Sequence, residues 1–344
     1  MFLKKKITFV YGQNNPMKKQ RIGIACGGYT SEAEISLKSG QVVFDSLLES
    51  DLFECYLVCL SEDSWTVKNQ EGTSFPLAKD FTFIKQGKTY GFDAVVNMIH
   101  GTPGEDGMLA AYLTLLGIPQ TSCDAYSAGL TYNKRDCLSV AKSFGIPTAK
   151  SFSLDKGQSI NPDEILEQVG LPCFVKANRA GSSFGVYKVD QADDLTPSIH
   201  KAFEEDTQLI IESALSGREV TVGVMEWKGD IKVLPITEII SENTFFDYEA
   251  KYLGKSQEIT PADLTEDWKK QVEDLAKSIY QKLGLRGITR SEFIFHNDIP
   301  HLLEVNTIPG MTLQSIIPQQ LENAGLTLLE VLEELIQSCL RKKV

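Results

Sequence analysis

The chain has 344 residues, 42% of them hydrophobic and 23% charged, ordinary proportions for a globular protein and enough chain for two or three domains. A net charge of −12 opposes a nucleic-acid partner, and the lack of any run of eighteen apolar residues excludes a membrane-spanning helix. The seven cysteines are scattered, odd in number and without a CxxC pair, as expected of reduced thiols in a cytoplasmic protein; Cys55 and Cys59 read as strand-core residues rather than metal ligands.

Residues 1–18 are basic, and their only apolar run, Ile7 to Val10, is too short for a signal peptide. A disordered leader is expected there, with Met17 the more natural initiator. Arg21–Cys26 reads as a buried strand running into Gly27-Gly28, and Ser31-x-x-Glu34 as a capping box that starts a helix. The acids Glu32 and Glu34 oppose a phosphate at that point. A carboxylate there either holds an ammonium group or merely complements the helix dipole. Phe53–Leu60 and Asp93–Ile99 add strands, giving a βαβ-type domain. The second leads into HGTPGEDG (residues 100–107), a glycine-rich turn at the carboxyl end of a strand, where open α/β sheets bind ligands. His100 either meets a ligand or caps the turn. A helix follows through Leu116, and Gly117-Ile118-Pro119 marks a domain boundary.

Ala125 to Phe144 reads as one helical stretch carrying Asn133-Lys134. Cys173–Asn178 is a strand with Lys176 near its end. The turn after it, with Ser182 and Ser183 between glycines, offers N–H groups and hydroxyls to an anion, or is an ordinary hairpin turn. Leu209–Ala214 and Gly217–Val222 read as a strand pair bearing Glu212 and Glu219. Residues 243–261 form a long irregular segment, a lid or an insertion, whose aromatic content argues against disorder. Glu266–Leu283 and Leu326–Leu340 read as amphipathic helices. In the second, Leu328, Val331, Leu332, Leu335 and Ile336 fall at helical spacing and serve core or dimer packing.

Between those helices lies RSEFIFHNDIPHLLEVNTIPGMTLQS, residues 290–315. Two apolar runs flank residues 296–300, the pattern of a β-hairpin with a loose turn. With the turn centred on Asp298, Glu292 stands opposite Glu304 and Arg290 opposite Asn306 on one face. Facing carboxylates repel unless something positive lies between them. Two Glu and one Asn form an all-oxygen set suited to a hard cation such as Mg²⁺; a solvent-facing polar strip neutralised by Arg290 is the plainer alternative. The run 307–312 is turn-forming and able to bring backbone N–H groups close to a substrate.

LLEVNTIPGMT after an Arg–acid strand resembles the signature of D-alanine–D-alanine ligases, a family of the ATP-grasp superfamily. GGYTSEAEIS and HGTPGEDG resemble the family's first two motifs, and FDYEAKY its cover loop, all in the expected order between Lys19 and Gly325. The resemblance implies an α/β (α+β ATP-grasp) fold. It has an N-terminal α/β substrate domain at 19–122, then ATP-grasp subdomains at 123–213 and 214–344 that sandwich the nucleotide, with a cover loop at 243–261. It implies ATP as co-substrate, two Mg²⁺ ions (Mn²⁺ as a substitute) on Glu292, Glu304 and Asn306, two molecules of D-alanine, and a homodimer serving peptidoglycan precursor synthesis. Lys134, Lys176, Ser182, Ser183 and Lys251 fall to the ATP phosphates, Glu212 to the adenine end and Glu219 to the ribose. Glu32 falls to the first amino group, with Ser182 also reaching the cover loop, and His100 to the first carboxylate. Tyr252 meets the second substrate, Arg290 and the Gly310 N–H are oxyanion donors, and Ser315 with the Ile316 backbone holds the second carboxylate. The sequence departs from the family pattern at Asn133 (usually Asp), Ala177 (usually Pro) and Glu292 (usually Asp). Competing readings are a related ligase with D-serine or D-lactate as acceptor, and a nucleotide-binding protein without catalysis. The dipeptide-type cover loop opposes D-lactate. A dehydrogenase is disfavoured, since no GxGxxG follows the first strand.

Overall fold

The computed structural model describes residues 19–181, 184–241 and 256–341. The leader, Ser182, Ser183, Lys251, Tyr252 and most of the segment 243–261 lie outside the described residues.

Strand β1 (Gln20–Gly27) is almost wholly buried and leads into helix α1 (Ala33–Leu48) and β2 (Phe53–Leu60). β3 (Trp65–Lys68), β4 (Ser74–Pro76), the small hairpin β5 (Phe83–Lys85)–β6 (Lys88–Tyr90), β7 (Ala94–Asn97) and α2 (Met108–Leu115) follow. The first sheet has the order β4-β3-β2-β1-β7, with β1 parallel to both neighbours, as the βαβ reading requires. The predicted capping box does not form. Helix α1 starts at Ala33 with Glu32 at its cap position, and no side chain caps it. Its backbone is held instead by the Thr30 carbonyl, which accepts from Ala33 N at 3.1 Å.

The helical stretch expected from Ala125 to Phe144 is two helices, α3 (Ala125–Tyr132) and α4 (Lys134–Ser143). Asn133 breaks it: its backbone is extended (φ −86, ψ 98) and its side chain accepts from Asp136 N at 3.0 Å as the N-cap of α4. Asparagine and aspartate cap equally well, so the departure from Asp leaves this local role intact. Asn133→Ala should cost about 1 kcal/mol, read from the denaturant midpoint. Next come β8 (Ser151–Asp155), α5 (Pro162–Val169), β9 (Cys173–Ala177), β10 (Val186–Val189), α6 (Leu195–Ala202) and β11 (Gln208–Ser213). They build an antiparallel sheet of order β10-β9-β11-β8.

β12 (Glu219–Trp227) does not pair with β11, contrary to the expected strand pair. It centres a third sheet with β13 (Asp230–Val233), β14 (Thr237–Ser241) and β15 (Ser256–Ile259), so the end of the supposedly irregular segment is an outer strand. Helix α7 (Glu266–Lys282) starts at a Thr265 cap and buries Val272, Ala276, Ile279 and Tyr280, one face at helical spacing. β16 (Ile288–His296) and β17 (Ile299–Asn306) complete the sheet in the order β15-β14-β12-β16-β17. Pro300 is tolerated because β17 is the edge. Two helices close the chain, α8 (Ile316–Asn323) and α9 (Leu328–Arg341).

Helix α9 resolves the choice left by its apolar stripe. Val331, Leu332, Leu335 and Ile336 are buried in one cluster with Ile22, Val43, Leu47 and Val96 of the first sheet and α1. The last helix therefore clamps the N-terminal sheet to the turn after β17, whose Ile308 and Met311 share that core. Ile336→Ala should destabilise the chain by about 2–5 kcal/mol in urea unfolding, the range for truncating a fully buried aliphatic side chain.

Candidate active site

β16 and β17 place Arg290 opposite Asn306 and Glu292 opposite Glu304, the predicted pairing. The route to it differs from the prediction. The turn is tight, with Asn297 (φ 52) and Asp298 (φ 63) both left-handed, as a two-residue hairpin turn requires and as Asn and Asp tolerate. Such a turn alone would set Glu292 against Leu303 and send the acids to opposite faces. A bulge between Glu292 and Phe293 restores the register: Phe293 pairs with Leu302, leaving one extra residue in β17.

The hairpin face is strongly charged and largely out of water. Glu292 is 4% exposed and bonded by Arg290 Nη1, which also donates to Thr221 Oγ1 at 3.0 Å on the neighbouring strand. Glu304 meets Lys134 Nζ at 3.4 Å, and the same ammonium donates to the Ala180 carbonyl at 2.6 Å. Asn306 Oδ1 accepts from Ile308 N at 3.2 Å and has a second lone pair to offer. The Ala180–Gly181 stretch joins this face to Glu32, because a Cβ built on Gly181 would lie 2.6 and 2.7 Å from the two Glu32 carboxylate oxygens. Glu32 is buried, does not cap its own helix, and turns its carboxylate toward this loop.

His100 sits behind Glu32. Its Nε2 lies 3.3 Å from Ser39 Oγ on α1, and Ser39 Oγ accepts from Met311 N at 3.2 Å. Burial holds the imidazole below its ordinary pKa; Glu32 and a hydrogen bond to the Ile308 backbone oppose this, and Arg290 reinforces it. The ring is therefore neutral near pH 7, and it ties α1 to the turn after β17.

On the central sheet, Lys176 Nζ contacts Glu212 Oε2 at 2.7 Å. Burial alone would lower the lysine, but Glu212, Glu304 and Glu219 together hold it above its ordinary pKa. Glu212 is 2% exposed, and its Oε1 has no hydrogen-bond partner among the described residues. A buried acceptor of that kind is matched by an N–H donor of a ligand. Glu219 opens β12 and reaches this group electrostatically. At the other end, a Cβ on Gly310 would meet Ser315 Oγ at 2.8 Å, and Ser315 stands at the N-cap of α8 without capping it through its side chain. The Ile316 N–H thus belongs to a helix N-terminus, a ready anion site.

Sequence reasoning gave no role to Glu105, Ser39 or Thr221. Glu105 was visible only as an acid inside the glycine-rich turn. Its Oε2 accepts from Gly101 N at 2.7 Å, and burial and then Glu32 push its pKa up to about 8, with Glu304 adding to this and Gly101 N–H and Lys134 opposing it. An acid whose pKa is raised on folding stabilises the fold below about 4.5 and loses that contribution as pH rises through about 8. Glu105→Gln should therefore flatten the fall of stability between those values, measured by urea unfolding across the pH range.

Among the described residues, no group of three or more His, Cys, Asp or Glu is arranged to hold a metal. No helix among them is long and apolar enough to cross a membrane.

The three larger sheets, Lys134 and Lys176 held by Glu304 and Glu212, and the carboxylate–amide hairpin face fit a protein of the ATP-grasp class. Residues 21–123 match the family model described as D-ala D-ala ligase N-terminus, and residues 140–337 the one described as D-ala D-ala ligase C-terminus. A D-alanine–D-alanine ligase of Christiangramia forsetii is 52% identical over 326 residues, covering 94% of this chain and 100% of the relative. The crystal structure of D-alanyl-alanine synthetase A from Vibrio cholerae superposes with a TM-score of 0.85 at 32% identity, over 95% of this chain and 100% of that one. A D-alanine–D-alanine ligase of Bacillus anthracis complexed with ATP has a TM-score of 0.77 at 29% identity, over 95% and 98% of the two chains. The chain belongs to the D-alanine–D-alanine ligase family.

Proposed function

We propose that the chain joins two molecules of D-alanine into D-alanyl-D-alanine, converting ATP to ADP and phosphate, as a cytoplasmic homodimer supplying a cell-wall precursor. The observation that carries the reading is the Ala180–Gly181 stretch, which brings the Glu32 carboxylate and the Lys134–Glu304 pair to one place. An amino-acid ammonium and a nucleotide phosphate are thereby wanted side by side.

A carboxylate is a poor acyl donor, so its activation by phosphoryl transfer comes first, and such transfer depends on positioning and charge neutralisation. Glu32 anchors the ammonium of the first D-alanine, and neutral His100 supports its carboxylate end. Lys134 and Lys176, with Ser182, Ser183 and Lys251 by family resemblance, neutralise the phosphates of ATP. Glu212 and Glu219 take the base and ribose, and the buried Glu212 Oε1 supports the assignment at the base. Glu292, Glu304 and Asn306 fit Mg²⁺, which keeps water and phosphate oxygens in its shell and so needs no all-protein cage. Bound there, Mg²⁺ would supply charge neutralisation to the phosphates. The second D-alanine, its carboxylate on Ser315 and the Ile316 N–H and its approach bounded by Tyr252, attacks the acylphosphate through its amine. Arg290 and the Gly310 N–H then stabilise the tetrahedral oxyanion, and phosphate leaves.

The test uses D-alanine labelled with ¹⁸O in its carboxylate. Acylphosphate chemistry transfers one labelled oxygen to the released phosphate in step with dipeptide. Unlabelled phosphate would mean plain ATP hydrolysis and would refute the mechanism.

A further inference from the structure

Outside the ligase site, one pair of nucleophiles is set up for chemistry. Cys26 is the penultimate residue of β1 and Cys59 lies directly beside it on parallel β2. Their side chains share a face, with Sγ atoms 3.7 Å apart. Adjacent strands run about 4.8 Å apart, inside the Cα separation a disulfide accepts, so closing the bond needs side-chain movement rather than strand separation. The two thiols differ in the way a reactive pair requires. Cys26 is buried, whereas Cys59 is partly exposed. The hydrogen bond from Cys26 holds the Cys59 thiol down to about 7 against the effect of burial, and Lys68 on the next strand assists; Cys26 is pushed far up. At neutral pH the accessible sulfur is the nucleophile and the buried one the resolving thiol.

We propose that Cys59 and Cys26 form a peroxide-sensitive dithiol whose oxidation to a disulfide weakens the binding of D-alanine in the ligase site. In the first step the Cys59 thiolate attacks hydrogen peroxide. An S–O bond forms, the O–O bond breaks, and hydroxide leaves to be protonated to water, giving a sulfenic acid on Cys59. In the second step the Cys26 sulfur attacks that sulfur: an S–S bond forms, the S–O bond breaks, and a second water leaves with the Cys26 proton. Two thiols lose two electrons and two protons, and one peroxide becomes two waters. A thiol or dithiol reductant reverses the change.

The link to the ligase site is packing. A Cβ built on Gly40 would come within 2.5 Å of Cys26 Cβ, so the backbone of α1 lies directly on this cysteine. Drawing Cys26 toward Cys59 moves atoms that have no slack, and close-packed interiors pass such shifts on. The neighbour of Gly40 is Ser39, which holds both His100 and the Met311 N–H. The turn that follows Cys26 is also stitched to the strand of Cys59, Gly28 N donating to Leu60 O at 2.8 Å. The kinetic consequence rests on the assignment of His100 and Glu32 to the first D-alanine; formation of the disulfide does not.

The experiment treats the full-length protein with hydrogen peroxide, maps the product by peptide mass, and measures KM for D-alanine and for ATP before and after dithiothreitol. Expected are a loss of about 2 Da, a 26–59 cross-linked peptide, and a rise of roughly threefold or more in KM for D-alanine with KM for ATP unchanged, all reversed by the reductant. Cys59→Ala should fold, ligate normally and ignore peroxide. Cys26→Ala removes the hydrogen bond that favours the Cys59 thiolate, so Cys59 should oxidise more slowly than in the parent and stop at a sulfenic acid that dimedone captures. Absence of the 26–59 peptide overturns the proposal at its chemistry. A reversible 26–59 disulfide with unchanged kinetics overturns the switch and points back to the assignment of the substrate site.

Discussion

Arg290→Ala should lower kcat by about 10²–10³, the cost of losing one preorganised oxyanion donor. The same change removes the cation bonded to Glu292 in a largely buried pair, and breaking such a pair costs about 3–5 kcal/mol of stability. The two effects are separable. Arg290→Lys keeps the charge against Glu292 but lacks the planar fork that also reaches Thr221, so it should retain most of the stability and little of the rate. Thermal unfolding and steady-state kinetics on both variants decide the point. A lysine variant with near-normal kcat would assign Arg290 to charge balance alone.

Glu304→Gln is expected to have the second large effect. Glu304 faces Glu292 across the bulged register and holds Lys134 at 3.4 Å, so the change strips one carboxylate from the hairpin set and releases the lysine proposed to meet the phosphates. The Mg²⁺ concentration for half-maximal rate should rise by at least about 10–100-fold, the penalty known even for residues that only support metal ligands. KM for D-alanine should move much less, because Glu32 and His100, proposed to hold the first D-alanine, are untouched. Glu292→Asp, by contrast, restores the residue usual in the family and should keep kcat within about tenfold of the parent, Mg²⁺ geometry being exacting but the carboxylate retained. Equal losses in both variants would contradict the assignment of Glu304 to the metal.

Much of this was legible in residue order because β pairing is periodic. Alternation along two apolar runs, with the turn centred on Asp298, was enough to pair Glu292 with Glu304, and a slip of one residue would send one acid to the opposite face. The tight turn and the bulge that together give this register were not legible. Their separate errors of one residue cancel, and only the sum shows in the pattern. The break at Asn133 carried a recognisable cap residue, yet the run of helix formers on either side concealed it. The capping box at Ser31 fails because the helix starts one residue later, with Glu32 at the cap position and its carboxylate turned to the loop at Gly181. β11 and β12 read as a strand pair because only a short connection separates them, whereas each finds its partners in a different sheet. The roles of Ser39, Thr221 and Glu105 were not legible for the same reason. Their long-range partners, His100 and Met311 for Ser39, Arg290 for Thr221 and Glu32 for Glu105, are brought to them by the fold rather than by spacing.

The most direct measurement of the central claim is the ratio of phosphate released to D-alanyl-D-alanine formed, with ATP, Mg²⁺ and D-alanine and with D-serine and D-lactate added in turn as competing acceptors. One phosphate per dipeptide, with the D-alanine product dominant in every mixture, is the predicted result. Phosphate without dipeptide, or a mixed product that displaces D-alanyl-D-alanine, would contradict it.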